Sequence, residues 1–266
     1  MGVRLGVVSF LNSRPLVEPF CTGALSHNFE LIYDVPSVCA DKLHRGQTDV
    51  ALIPAAEMGR GKEPYCLVPH VSLSSLGPVR SVLLLLNKEP KDVCSLALDT
   101  SSRTSVVLSQ IILNRQFDCR PNVFVHPPDV DEMLKKADAA LLIGDKALEL
   151  DVKRYRVLDL GQAWTHMTGL PFVYACWTGR SQAIGAQDVG KLIEAKKMGL
   201  ADISAIAKRY AVDRKLPPEF YADYLCNNMH YNFGEAELEG LKYFYAYGAE
   251  LGLIEQVPEI RFYNCE

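Results

Sequence analysis

The chain has 266 residues, 48% of them hydrophobic, enough to bury one large core or two smaller ones. Its 28 basic and 32 acidic residues leave a net charge of −4 with no long run of either sign, which argues against the basic stripe of a nucleic-acid partner. Apolar stretches such as Val82–Leu86 have the length of a strand and not of a membrane span. The first residues lack the apolar run and cleavage site of a secretory signal, so a cytoplasmic protein without a membrane partner is expected.

In chain order, residues 4–9 read as a strand running into Phe10-Leu-Asn-Ser-Arg-Pro-Leu16. Residues 37–45 read as a helix closed by Gly46, and residues 49–54 as a buried strand stopped by Pro54. Strands follow at 82–87 and 96–98, then a helix from about 102 to 117, a strand at 122–126, a helix with an acidic first turn at 129–136, and a strand at 139–143. Such alternation predicts parallel sheets covered by helices, an α/β class. The last third is helical in period, at 191–198, 203–210, 218–228 and 235–251, with turns at Gly199, Pro217 and Gly234. Two lobes are expected, joined by crossing strands near 82–87 and 172–177. Residues 1–86 and 176–266 then form a first, discontinuous lobe that includes the helical tail, and 87–175 the second.

The eight cysteines are widely spaced with no Cys-x-x-Cys pair, so reduced cysteines serving as small core residues are expected. No Gly-x-Gly-x-x-Gly, Walker-type loop, His-Glu-x-x-His or Gly-x-Ser-x-Gly is present, so neither a cofactor nor a metal is expected.

The most informative segment is Asp99-Thr-Ser-Ser-Arg-Thr-Ser105, which follows the short strand at 96–98 and opens an amphipathic run. A helix N-terminus offers free N–H groups and about half a positive charge, a natural anion site. One hydroxyl is needed for a cap; five exceed that need, so Thr100, Ser101, Ser102 and Thr104 are candidates for holding an anion, with plain capping as the alternative. Arg103 could clamp a carboxylate or pair with a surface acid. On the other lobe, Ser9, Asn12 and Arg14 lie beyond the first strand, where ligands bind in open α/β sheets; Asn12 reads equally as a turn residue. Ser81 reads as a strand-edge serine at the crossing. Gly144 permits close approach of backbone to a ligand, and Asp145 either caps the next helix or faces the cleft. Trp164 and Thr168 stand near a predicted cleft mouth, although an aromatic there is more often core.

Several of these stretches fall together in one pattern: Gly6-Val-Val-Ser-Phe-Leu-Asn-Ser-Arg-Pro-Leu16, Asp49-Val-Ala-Leu-Ile-Pro54, Gly77-Pro-Val-Arg-Ser-Val-Leu-Leu84, the hydroxyl-rich segment 99–105, Leu141-Leu-Ile-Gly-Asp-Lys-Ala-Leu148 and Thr168-Gly-Leu-Pro-Phe-Val-Tyr174. In this order they resemble the chorismate dehydratases of the futalosine route to menaquinone. The resemblance spans nearly the whole chain, with the helical tail the least distinctive part. The sister dihydroxynaphthoate synthases share the fold but open with a Cys-Pro-Asn loop, where this chain has Phe-Leu-Asn-Ser-Arg-Pro.

The resemblance implies a type II periplasmic-binding-protein fold used as an enzyme, with chorismate in a cleft between the lobes. It also implies that the family's functional asparagine and serine fall on Asn12 and Ser81. The dicarboxylate substrate would then be held by Ser9, Thr100, Ser101, Ser102, Arg103, Thr104, Gly144 and Asp145. The general base stays open between Asp145, Glu57 and the enolpyruvyl carboxylate of the substrate. The rival readings are a non-catalytic solute-binding protein for a small anion and the sister synthase. The oligomeric state is not legible.

Overall fold

A computed structural model describes residues 2–61 and 64–265. The first lobe opens with β1 (Arg4–Val8), a 3₁₀ turn at Leu11–Ser13, α1 (Arg14–Cys21), β2 (Glu30–Asp34), α2 (Pro36–His44) and β3 (Val50–Pro54). A second 3₁₀ turn at Ala55–Arg60 leads to β4 (Tyr65–Leu67) and β5 (Leu73–Ser75). The chain then crosses into β6 (Val82–Leu86), β7 (Ser95–Asp99), α3 (Thr104–Phe117), β8 (Asn122–His126), α4 (Val130–Lys136), β9 (Ala139–Ile143), α5 (Gly144–Leu148), β10 (Arg156–Asp159) and α6 (Leu160–Thr168). It returns through β11 (Phe172–Arg180) and ends in α7 (Ala186–Ala201), α8 (Ile203–Ala211), α9 (Pro218–Asp223), a π-helical turn at Tyr224–Asn228, and α10 (Glu235–Glu250).

The strands form two sheets, one in the order β2-β1-β3-β11-β4 with β5 also on β11, the other β10-β6-β9-β7-β8. Strand β6 bonds into the second sheet and β11 into the first, so the chain passes between sheets at residues 76–81 and 169–171. The outer limits of the expected first lobe, Met1 and Glu266, lie outside the described residues. The expected parallel sheets are in fact mixed. β1 runs parallel to β2 and β3, and β7 to β8 and β9, but β6 is antiparallel to β9 and β11 to β3. The physical reason is the crossing: a strand arriving from the opposite lobe enters its new sheet against the local direction, without the helical crossover that parallel pairing needs.

Strand β6 shows why the sequence runs are so apolar. Leu84 and Leu86 face the large core, while Leu83 and Leu85 join a smaller cluster with Met133, Ala140 and Leu142 on the other face. A sheet covered on both faces has no polar face to alternate with, and each buried leucine contributes about 1.5–3 kcal/mol.

Two helices escaped the sequence reading. α1 carries Pro15 in its first turn, where the missing N–H costs nothing, so proline there starts a helix and does not break one. α6 contains both Trp164 and Thr168. Trp164 is fully buried and donates from Nε1 to the Pro171 carbonyl, and Thr168 donates back to the Trp164 carbonyl, so both are packing residues away from the cleft. Cys39, Cys66, Cys119 and Cys176 are buried as expected, whereas Cys21, Cys94, Cys226 and Cys265 are exposed, so the core-residue reading holds for half of them. No helix among the described residues is long and apolar enough to cross a membrane.

Candidate active site between the lobes

The carboxyl ends of β1, β3, β7 and β9 converge on one cavity of about 520 Å³ when its opening to solvent is included, at the place where open α/β sheets bind ligands. Asn12, Ser81, Ser102, Arg103, Thr104 and Gly144 line it together, with Ser105 and Tyr174 and an apolar wall that includes Val8, Phe10, Leu73, Val79 and Ile143. Ser9, Thr100, Ser101 and Asp145 do not line it. Ser9 is exposed, and its N–H is bonded to the Asp34 carbonyl.

Hydrogen bonds run between the lobes beside this cavity. The Leu11 N–H donates to Asp145 at 2.9 Å. Ser37 donates from its N–H to the Ser101 carbonyl at 3.1 Å and from Oγ to the Thr100 carbonyl at 3.2 Å. The Ala56 N–H donates to Thr104 Oγ1 at 3.2 Å. Asp145 therefore serves the 3₁₀ turn that carries Asn12, and burial pushes its carboxyl above the ordinary aspartate range against that hydrogen bond.

Within the segment 99–105 the hydroxyls divide by role. Ser101 gives both its N–H and its hydroxyl to Asp99, whose other oxygen accepts from the Ile143 N–H. Thr104 Oγ1 donates to the Tyr174 carbonyl at 3.0 Å, so although it lines the cavity its proton ties α3 to β11. The hydroxyls of Ser102 and Ser105 have no such partner among the described residues and line the cavity. Within α3, Val107 is the first residue whose N–H returns to a backbone carbonyl, that of Arg103, so the N–H groups of the helix just before it have no intrahelical acceptor. One turn of backbone and two free hydroxyls thus make a donor-rich wall.

Arg103 reaches back from this wall to Glu57, 3.6 Å from Nε to Oε1. Glu57 is 3% exposed and also meets His44 at 3.1 Å and Arg60 at 3.1 Å. Burial alone would raise its carboxyl, but the His44 hydrogen bond and the charges of Arg60, His44 and Arg103 outweigh burial and hold it below the ordinary glutamate value. Glu57 is outside the cavity lining, as is Asp145. Among the described residues no Asp, Glu or His lines the cavity, and no group of three or more His, Cys, Asp or Glu could hold a metal ion.

On the facing side, Asn12 Oδ1 is buried and has no hydrogen-bond partner among the described residues. Ser81 is 2% exposed, and its Oγ lies 2.8 Å from the Tyr224 hydroxyl. Its backbone is held from both sides. The Val79 and Arg80 N–H groups donate to Asp159 at 3.1 and 2.7 Å, and the Ser81 carbonyl accepts from the Gly144 N–H at 2.8 Å. Arg80 adopts φ +63°, a left-handed conformation costing about 1–2 kcal/mol in a non-glycine residue, and the Asp159 bonds offset it. Strain of this kind is stored where the surrounding structure over-determines a side chain's position.

Gly144 has φ +66°, and a Cβ there would lie 2.6 Å from the Phe10 ring. Its close approach is to Phe10 of the opposite lobe. Sequence reasoning missed Tyr174, whose hydroxyl lies 2.9 Å from Ser75 Oγ, and Tyr224. A tyrosine inside an apolar strand and another on a helical tail leave no local signal; only the tertiary arrangement brings their hydroxyls to the serines.

The menaquinone biosynthesis family model matches residues 3–250. A chorismate dehydratase of Thermus thermophilus is 28% identical over 243 residues, covering 85% of this chain and 88% of that protein. A chorismate dehydratase of Campylobacter jejuni is 26% identical, covering 90% of this chain and 94% of that protein. Among solved structures, an Archaeoglobus fulgidus protein superposes with a TM-score of 0.77 at 17% identity over 95% of this chain and 98% of its own. The periplasmic aliphatic sulphonate binding protein of Escherichia coli superposes with a TM-score of 0.67 at 15% identity, over 98% and 92%. The fold is therefore the periplasmic-binding-protein fold expected from the sequence.

Proposed function

The chain belongs to the menaquinone biosynthesis family, and from that premise we propose that it is a chorismate dehydratase, a hydro-lyase converting chorismate to 3-[(1-carboxyvinyl)oxy]benzoate on the futalosine route. We place this activity in the cytoplasm, the setting expected of a biosynthetic enzyme. Two relatives that carry the name chorismate dehydratase support the reading, and so does the chemistry of the cavity.

The observation that carries it is a pairing. An unpartnered buried acceptor, Asn12 Oδ1, and the Ser81 hydroxyl share one cavity with the donor-rich start of α3. The substrate hydroxyl that must leave is both donor and acceptor. It can donate a hydrogen bond to Asn12 Oδ1, keeping its proton, while its oxygen accepts from Ser81. One carboxylate of the dianion meets Ser102, Ser105, Arg103 and the free N–H groups of the helix start, charge-assisted contacts that also set its orientation. The apolar wall accommodates the ring and keeps water out, which strengthens every polar contact inside.

That no aspartate, glutamate or histidine lines the cavity among the described residues bears on the base. The enolpyruvyl group is attached through its ether oxygen at C3, so its own carboxylate reaches the C3 proton. The C3–H pair becomes the third ring double bond as the C4–O bond breaks, and the departing oxygen takes up the released proton to leave as water. Aromatisation drives the step, and the protein supplies orientation and donors where charge develops.

Incubation with chorismate should yield the aromatic enol ether, detected by chromatography and ultraviolet absorbance. Asn12→Ala and Ser81→Ala should each lower kcat by about 100-fold. No product from the unaltered protein would overturn the activity, and near-normal turnover by both variants would remove these two residues from it.

A further inference from the structure

Behind Ser81, out of the cavity lining, stands a residue the reaction scheme above does not use. Tyr224 begins the π-helical turn at Tyr224–Asn228, an irregularity that recurs at functional sites. It is 1% exposed, and its hydroxyl has Ser81 Oγ at 2.8 Å. Burial strongly opposes ionisation of the phenol and outweighs the Ser81 and Asn12 side chains, which favour it. The phenol is thus neutral and carries one proton to donate.

Where that proton goes decides what Ser81 can do. A buried hydroxyl proton without an acceptor costs about 1–3 kcal/mol. Asn12 Oδ1 is without a partner, so the phenol proton does not go there. Ser81 Oγ is the remaining acceptor among the described residues, and phenols are stronger donors than aliphatic alcohols. A serine oxygen that accepts from behind must aim its own O–H elsewhere, and the open direction is the cavity that Ser81 lines.

The position of Tyr224 is itself braced. Arg80, the residue before Ser81, donates to Asp223 at 2.7 Å and to Asn228 at 3.1 Å, and its guanidinium stacks 4.6 Å from the Phe220 ring. Asn228 in turn donates to the Pro78 carbonyl at 2.8 Å. The segment that presents Ser81 and the turn that presents Tyr224 are therefore clamped to each other at both ends.

We propose that Tyr224 is a positioning residue: its phenol donates to Ser81 Oγ and so directs the Ser81 proton into the cavity, toward the oxygen that departs. The proposal rests on the reading of Ser81 as the residue that meets the leaving hydroxyl. Without Tyr224 the serine rotor is free to turn its lone pairs to the substrate, and the donor is lost part of the time.

Two measurements test it. In the turnover assay, Tyr224→Phe should lower kcat about tenfold while KM for chorismate stays within about twofold. In a Ser81→Ala background the same change should have no further effect, because the two act as a unit. Normal kcat in Tyr224→Phe, or an equal loss in both backgrounds, overturns the proposal; an unaltered protein that makes no product overturns the function instead. Independently of turnover, ¹³Cζ-labelled tyrosine reports the direction of the bond. Loss of its acceptor in Ser81→Ala should move the Tyr224 resonance upfield, as for a phenol that stops donating. A downfield shift would show that Ser81 donates to Tyr224, and no shift that they are not bonded; either result overturns the assignment.

Discussion

At the scale of single residues, a glycine and a strained arginine hold the site in register. Gly144 combines a left-handed backbone with a ring from the other lobe packed where a Cβ would be. Gly144→Ala should therefore cost about 1–2 kcal/mol in backbone conformation and about 1–3 kcal/mol in overpacking. Thermal denaturation should show the loss, and a Phe10→Ala background should relieve only the packing part. Equal losses in both backgrounds would mean that Phe10 is not the obstacle. The same residue scale explains why the serines and threonines of segment 99–105 looked alike in sequence. Their composition announces a helix start with spare donors, and the Ser101 bond to Asp99 is local, two positions apart, but that Thr104 is spent on Tyr174, 70 positions away, is not.

At the scale of elements, the lobes are joined by a cluster drawn from α2, the turn at Ala55–Arg60 and the start of α3. Glu57 is its centre, with His44, Arg60 and Arg103 around it. Its carboxyl is depressed in the folded protein below the ordinary value of 4.5. A carboxyl depressed on folding contributes stability that is fully present above the unfolded pKa and is lost as pH falls through the folded one. Denaturation midpoints should therefore drop between about pH 5 and pH 3, and less steeply in Glu57→Gln. Near neutrality that variant should be less stable by about 1–2 kcal/mol. Parallel pH profiles for the two proteins would mean that Glu57 is not what acid weakens. None of this was visible from element prediction, because His44, Glu57 and Arg103 belong to three elements whose contact is purely tertiary.

At the scale of the whole molecule, the cavity exists only because two sheets present the carboxyl ends of their parallel strands to each other. Bonds from Leu11 to Asp145, from Ser37 to the 100–101 backbone and from Ala56 to Thr104 hold that arrangement closed. A ligand seated between the lobes stabilises the folded state by mass action, about 2.7 kcal/mol at a hundred times its Kd. Chorismate added to Ser81→Ala, which should bind without rapid turnover, is expected to raise Tm by roughly 5–10 °C at such an excess. An unchanged Tm at millimolar chorismate would place the binding site elsewhere.

The sequence by itself determined the class and part of the element order, missing the short strands β2, β4, β5 and β10, because apolar runs of strand length, helix starts and turn residues are local signals that survive any packing. It also singled out Asn12, Ser81 and the start of α3, through motifs long enough to resemble one family in order. The helices α1 and α6 carried local signals, Pro15 and the Asp159 cap, that went unread, whereas the direction of the crossing strands, the bond from Thr104 to Tyr174 and the hydroxyl behind Ser81 were decided only by tertiary structure. Each depends on which groups meet across a long stretch of chain. A side chain has no partner until two distant backbones have been brought within hydrogen-bond distance.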